Sequence, residues 1–274
     1  MSMPVISSDI INWLRIAVCL AILGYSCVTD WRSRRAPPIL WEVMTAAGVI
    51  LLLVEIFISS YDARYEVLFF FAISFCIIYL LVNFIYYLFN NVLKGAFGGA
   101  DANALLALSV LFPYYPFMDL LNSSLPLVKF PITPIFTLAV FGNALILNIV
   151  LPVSIFLYNV YKVPFAELRA NFGTAFFGYK MKIGDLRNKH VRLMHTYEEE
   201  DGEVSRRFSM FKYPELDDKL YKQLVKWSKE GKIPDQLWVT PKIPLLIPIT
   251  LGVIVALAYG DIMTQIIFWV MGLI

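Results

Sequence analysis

Apolar runs of eighteen or more residues recur along this chain of 274 residues, and that recurrence limits the possible folds more than any other feature. About 20 apolar residues in helical form match the ~30 Å hydrocarbon core of a bilayer. A helix also satisfies its own backbone polar groups, which lipid requires of any segment that crosses it. Six segments of this kind can be marked, over 10–29, 39–59, 67–93, 102–121, 134–161 and 244–274. The first is broken only by Arg15, the second holds Glu42 and Glu55 near its ends, and the third carries no charge. A polar turn is expected over 61–66. Pro113 and Pro116 end the regular helix of the fourth segment early, and Gly260-Asp261 gives the last one a kink or an early exit.

The charge is gathered elsewhere. Although 59% of residues are hydrophobic and mean hydropathy is +0.67, 16 of the 23 Lys and Arg and 12 of the 21 acids lie between Lys162 and Lys242. This stretch reads as a folded insertion. Residues 191–197 alternate apolar and polar as a half-buried strand does, 198–203 with Gly202 form a hairpin tip, and 204–211 return. Leu216, Leu220, Leu224 and Trp227 are helically spaced within 214–229. The fold class is therefore mainly α, a polytopic membrane protein with six transmembrane helices and a small cytoplasmic α+β insertion. The expected divisions are 1–162, 163–242 and 243–274.

Orientation follows from the positive-inside rule. Arg32, Arg34, Arg35, Lys94, Lys162 and Lys242 flank one side, against Arg15, Arg64 and Lys129 on the other. Both termini then face outward, and the loops after spans one, three and five face the cytoplasm. The start carries Asp9 and no Ala-x-Ala pattern, so the first segment is expected to be retained rather than removed as a signal peptide. Trp13 and Trp41 suit opposite interfacial belts, and Asn83, Asn90 and Asn91 suit hydrogen bonding between helices. Cys19, Cys27 and Cys76 all fall in apolar runs and read as buried small hydrophobes. His190 and His195 lack the further ligands that zinc wants, so no metal and no other cofactor is expected. The net charge of +2 says little about partners, and no nucleic-acid partner is expected.

Two carboxylates stand out. Asp30 closes the first span and Asp101 opens the fourth on the same side, after Gly98-Gly99-Ala100. An ionisable group at the edge of a membrane segment is costly to place without a role. Two of them at one depth can share a proton, one acting as base toward water and the other as acid toward a carbonyl. The helix dipole favours the charge on Asp101, whereas Arg32, Arg34 and Arg35 favour it on Asp30, which leaves open which one is ionised. A plain helix cap at Asp101 and an arginine partner at Asp30 are the simpler readings. The glycines permit a tight turn and close approach of another chain, or close helix packing. Glu55, Asp62, Glu66, Asp119, Asp261 and Glu42 read as interfacial or outer-loop residues. The acids Glu198, Glu199, Glu200, Asp201 and Glu203 read as a solvated tip, or as a patch steering a basic ligand.

Asp30 with Arg32, Arg34, Arg35 and Pro37, then Gly98-Gly99-Ala100-Asp101, then 241–248 before the last span, resemble the GxGD membrane aspartyl proteases. The match is most similar to the type IV prepilin peptidases, in particular their archaeal preflagellin peptidase branch, which admits alanine where Ala100 stands. The resemblance implies an aspartic endopeptidase with Asp30 and Asp101 catalytic, Gly98, Gly99 and Ala100 lining the turn and substrate path, and no cofactor. It implies a membrane-inserted, archaellin- or pilin-like precursor as substrate, cut on the cytoplasmic side after a short basic leader. The cysteine-rich methyltransferase section of bacterial members is not matched, so methylation is not implied. Presenilin and signal-peptide-peptidase relatives carry Tyr-Asp and Pro-Ala-Leu motifs, where this chain has Thr29-Asp30 and no Pro-Ala-Leu. A transporter with the two aspartates as proton relay would favour internal repeats, and none is visible; a non-catalytic assembly scaffold is the remaining alternative.

Overall fold

The computed structural model describes residues 9–33, 35–92, 98–120, 123–127, 134–188, 191–200, 203–208, 216–241 and 245–272. Arg34, Lys94, Lys129, His190, Asp201, Gly202 and Lys242 lie outside these. The chain forms two compact units, one of residues 1–92, 96–148 and 244–274, the other of 93–95 and 149–243.

The first unit begins with three long helices, α1 (Asp9–Ser33), α2 (Ile39–Ile58) and α3 (Tyr61–Tyr87), the last running into a π turn at Leu88–Val92. Residues 61–66 are helix, not a separate turn: Ser60 is extended at the N-cap and Asp62 sits in the first turn, where the dipole favours it. α4 (Gly99–Leu111) stops where Pro113 removes a donor, as its sequence requires. The chain then makes a small antiparallel ladder of β1 (Met118–Leu120) and β2 (Ser123–Leu125) before α5 (Phe136–Lys162). After the insertion come α9 (Leu246–Ala258) and α10 (Ile262–Val270), bent by 74° at Gly260-Asp261. Asn143 holds the bend, donating to Gly260 O and accepting from Ile262 N, and the buried Asp261 caps α10 through Thr264 N.

Four helices, α1, α2, α3 and α5, are long and apolar enough to cross a membrane; the bent α9–α10 pair brings the count to five if taken as one span. The 13 residues of α4 reach only about 20 Å. The helix is nonetheless the centre of its unit. Ala102, Ala104, Leu105, Ala107, Leu108, Val110 and Leu111 are buried, with α2 and α3 packed on it and α1 and α9 touching it. The alanines let these neighbours come close. At Gly48 of α2 the approach is closest: a Cβ there would stand 2.9 Å from Leu111 Cα.

At one end of this unit Arg15 and Glu55, 1% and 0% exposed, form a 2.8 Å ion pair, and the Tyr114 hydroxyl donates to the other Glu55 oxygen. The Arg15 guanidinium lies 5.8 Å from the Tyr114 ring centre. Glu55 is therefore an interior residue, and its partner explains how Arg15 stands in an apolar run. Trp41 is buried in the core rather than placed in an interfacial belt, while Trp13 is exposed. Asn83 and Asn91 donate to Tyr79 O and Tyr87 O of their own helical turns, not across helices.

The second unit takes up the later turns of α5, then α6 (Phe165–Ala170), α7 (Phe172–Phe177), β3 (Tyr179–Lys182), a 3-10 turn at Ile183–Asn188, β4 (Val191–Leu193), β5 (His195–Glu200), β6 (Glu203–Phe208), α8 (Asp218–Lys229) and β7 (Gln236–Pro241). β7 is central in an antiparallel sheet of order β3-β7-β4, and β5 pairs with β6 as a hairpin. The strand expected over 191–197 is split at Met194, whose N–H bonds to Trp238 O, so its halves serve different sheets. Asp217 caps α8 through Leu220 N, and Leu224 and Trp227 pack on Leu193, Leu237 and Val239.

Candidate active site

Asp30 lies in the last turn of α1 and Asp101 in the first turn of α4, both half-buried in the first unit. The two aspartates are 71 positions apart in the chain, yet the negative charge of Asp30 reaches the Asp101 carboxyl. The structure thus brings together the two carboxylates singled out in the sequence.

The turn before Asp101 is built around its side chain. Gly98 is the N-cap of α4 with φ −68° and ψ 127°, an ordinary extended conformation open to any residue. What it lacks is space for a side chain: a Cβ at 98 would lie 2.5 Å from Asp101 Oδ2 and 3.3 Å from Cγ. The Asp101 carboxylate curls back over Gly98 from the third helical position, so Asp101 is not itself the N-cap. Gly99 is different, since nothing among the described residues comes within 4 Å of a Cβ built there. Gly98 and Gly99 are both exposed and therefore do not serve close helix packing. Ala100 is half-buried against the core of the unit. The N–H groups of Gly99 and Ala100, in the first turn of α4, have no intrahelical acceptor.

Around Asp30, Cys27 stands one turn earlier on α1 and feels the Asp30 charge. Its Sγ is 3.0 Å from Thr250 Oγ1 and 3.5 Å from Leu246 O, both on α9. Cys27 is half-buried and Cys76 exposed, so only Cys19 is the buried small hydrophobe expected of all three. Thr250 gave no signal in the sequence, because it follows the insertion; Cys27 could have been noticed by its spacing of three from Asp30. Among the described residues no group of three His, Cys, Asp or Glu side chains could hold a metal ion.

Comparison with known proteins gives the family. Residues 17–153 match the type IV leader peptidase family, and residues 170–262 match the family described as Archaeal Peptidase A24 C-terminus Type II. The chain is similar to a preflagellin peptidase of Methanococcus maripaludis, 29% identical over 85% of this chain and 90% of the relative. It is 27% identical to that of Methanococcus voltae over 92% and 98%, and 26% identical to that of Methanocaldococcus jannaschii over 96% and 100%. With Asp30 and Asp101 both inside a match that takes in half of its length, the chain belongs to the type IV leader peptidase family.

Proposed function

We propose that this peptidase is an aspartic endopeptidase of the GxGD kind, in which Asp30 and Asp101 activate one water between them. One carboxylate takes a proton from water as the oxygen attacks the peptide carbonyl carbon. The other gives a proton to the carbonyl oxygen, and the tetrahedral intermediate collapses as the leaving amine is protonated. The observation that carries this reading is that two half-buried carboxylates, from the end of α1 and the start of α4, lie near enough for the charge of Asp30 to reach the Asp101 carboxyl. Like charges so placed favour holding one proton between them.

The exposed backbone of Gly98 and Gly99 beside Asp101 suits a substrate strand that has left its helical form. The N–H groups of Gly99 and Ala100, which have no intrahelical acceptor, suit bonding to its carbonyls. The substrate is a preflagellin-like precursor, as the names of the relatives suggest, with the short basic leader and hydrophobic helix that the family resemblance implies. Arg32 and Arg35 beside Asp30 support a site at the cytoplasmic face under the positive-inside rule, with both termini outside. In this topology α4 and the mostly buried residues 112–117 together make the sixth crossing.

The test is cleavage of a precursor by the purified protein. Asp30→Asn and Asp101→Asn should each remove turnover while leaving the melting profile in detergent intact. Persistent turnover in either variant would overturn the pair.

A further inference from the structure

The chain doubles back as soon as it leaves α5. Val163 N–H closes the last turn on Asn159 O, and α6 and α7 follow, each six residues long. α7 then returns alongside the end of α5. Phe176 stacks on Phe156 at 4.2 Å with rings 7° from parallel, and Phe172 meets Phe156 edge-on at 5.6 Å. Asn159, fully buried, donates to both Ala175 O and Gly178 O. Phe156 stands six residues before Lys162, so α7 reaches about 9 Å back along α5. If α5 crosses the bilayer to its end, α7 lies at the depth of the headgroup and upper acyl region.

The outer surface of this turn matches such a place. Tyr161, Phe165, Phe172 and Phe177 are 84%, 79%, 57% and 45% exposed, an aromatic face with nothing in the second unit covering it. It continues the exposed apolar side of α5 formed by Val153, Leu157 and Val160. Lys162 and Arg169 are the exposed charges within it. Glu167, the sole acid between 149 and 184, is neutralised by Lys180 at 2.5 Å. Apolar rings flanked by unopposed cations fit a surface of acyl chains and phosphates.

We propose that α6 and α7 form an interfacial anchor seated in an anionic lipid headgroup layer, with Phe165, Phe172 and Phe177 turned into the acyl boundary and Lys162 and Arg169 on lipid phosphates. The anchor fixes the exit of α5 and the start of β3 against the membrane surface through Asn159 and Phe156.

The full-length protein, carrying p-benzoylphenylalanine in place of Phe165, Phe177 or Glu203, is reconstituted in vesicles of phosphatidylcholine and phosphatidylglycerol and irradiated. Mass spectrometry should find phospholipid adducts at 165 and 177 and none at 203. Adducts to a second copy of the chain, or no adduct at 165 and 177, overturn the anchor. Phosphatidylglycerol should be over-represented at least about twofold among the adducts relative to its mole fraction, and Lys162→Gln with Arg169→Gln should remove that excess. Labelling in simple proportion to composition in the unmodified chain overturns the role given to the cations.

Discussion

Replacing Gly98 with Ala separates the chemistry of the turn from its stability. The new methyl carbon would stand 2.5 Å from Asp101 Oδ2, against an ordinary contact of 3.4 Å or more, so the carboxylate must retreat by about 1 Å. It is the free end of a side chain, and rotation away costs at most about 0.5–1.5 kcal/mol. The backbone at φ −68° and ψ 127° accepts alanine unchanged. Gly→Ala at a compatible position also removes unfolded-state freedom worth about 0.4–1 kcal/mol. Net stability should therefore move by no more than about 1 kcal/mol. Activity is another matter, because a displacement near 1 Å of a reacting group costs on the order of 10²-fold, about 2.7 kcal/mol of barrier. The assay is kcat for a precursor peptide, run beside a melting curve of the same preparation. Gly99→Ala is the control for the carboxylate: its Cβ meets no described atom within 4 Å, so Asp101 should keep its place and the melting temperature should not fall. Gly98→Ala cleaving at the parent rate would refute the placement of the Asp101 carboxylate as catalytic. Unfolding in step with lost activity would make Gly98 a structural glycine and refute the reasoning from space.

Three further outcomes are expected. Arg15→Met leaves Glu55 buried with its charge uncompensated and should cost about 3–5 kcal/mol, read as a lower melting temperature; a second change, Glu55→Gln, should restore part of it, and no loss in the single variant would contradict the pairing. Gly48→Ala forces α2 off the backbone of α4 at Leu111, where neither side is a flexible tip, so it should destabilise more than Gly99→Ala in the same melting assay. His195 is 6% exposed, and desolvation with the nearby Arg206 holds its pKa below the usual 6.5. The unfolded chain then binds the proton first, so stability is full above about 6.5 and falls as pH drops through the folded value. His195→Gln should flatten the melting temperature between pH 8 and pH 5, and an unchanged slope would show that other groups cause it.

What could be read from the residues depended on whether the physics acts along the chain or across it. Helix lengths follow from local hydropathy, and α1, α2 and α5 fall within a few residues of their expected bounds. Asp30 and Asp101 were visible because each stands alone at the margin of an apolar run, where its desolvation is conspicuous. Glu55 has the same chemistry but was read as interfacial, since its partners Arg15 and Tyr114 are 40 and 59 residues away. Nothing local announces a pairing across three elements. β3 and β4, four and three residues long, are too short to display a period of two, and only their common partner β7 makes them strands. α8 was legible because its apolar stripe faces one sheet.

α4 unites these two kinds of information. Its 13 residues are too few to cross a bilayer by themselves, and its alanines would give a weak apolar face if judged by hydropathy alone. Both traits make sense for a helix enclosed by its neighbours. Short side chains let α2 come to within contact of the α4 backbone at Gly48, and the exposed positions of α4, Gly99 and Asn103, lie in its N-terminal part. The first turn and its N-cap hold Asp101, the N–H groups that have no intrahelical acceptor, and the exposed Gly98 and Gly99. A central helix ending at the level of its neighbours' ends would carry its carboxylate into solvent. One that began deeper would bury its first turn within the bundle. The half-burial of Asp101 is the compromise between a desolvated carboxyl and access for water and a peptide strand. Moving the α4 backbone, as Gly48→Ala does at its far end, should therefore slow cleavage even though residue 48 touches neither aspartate.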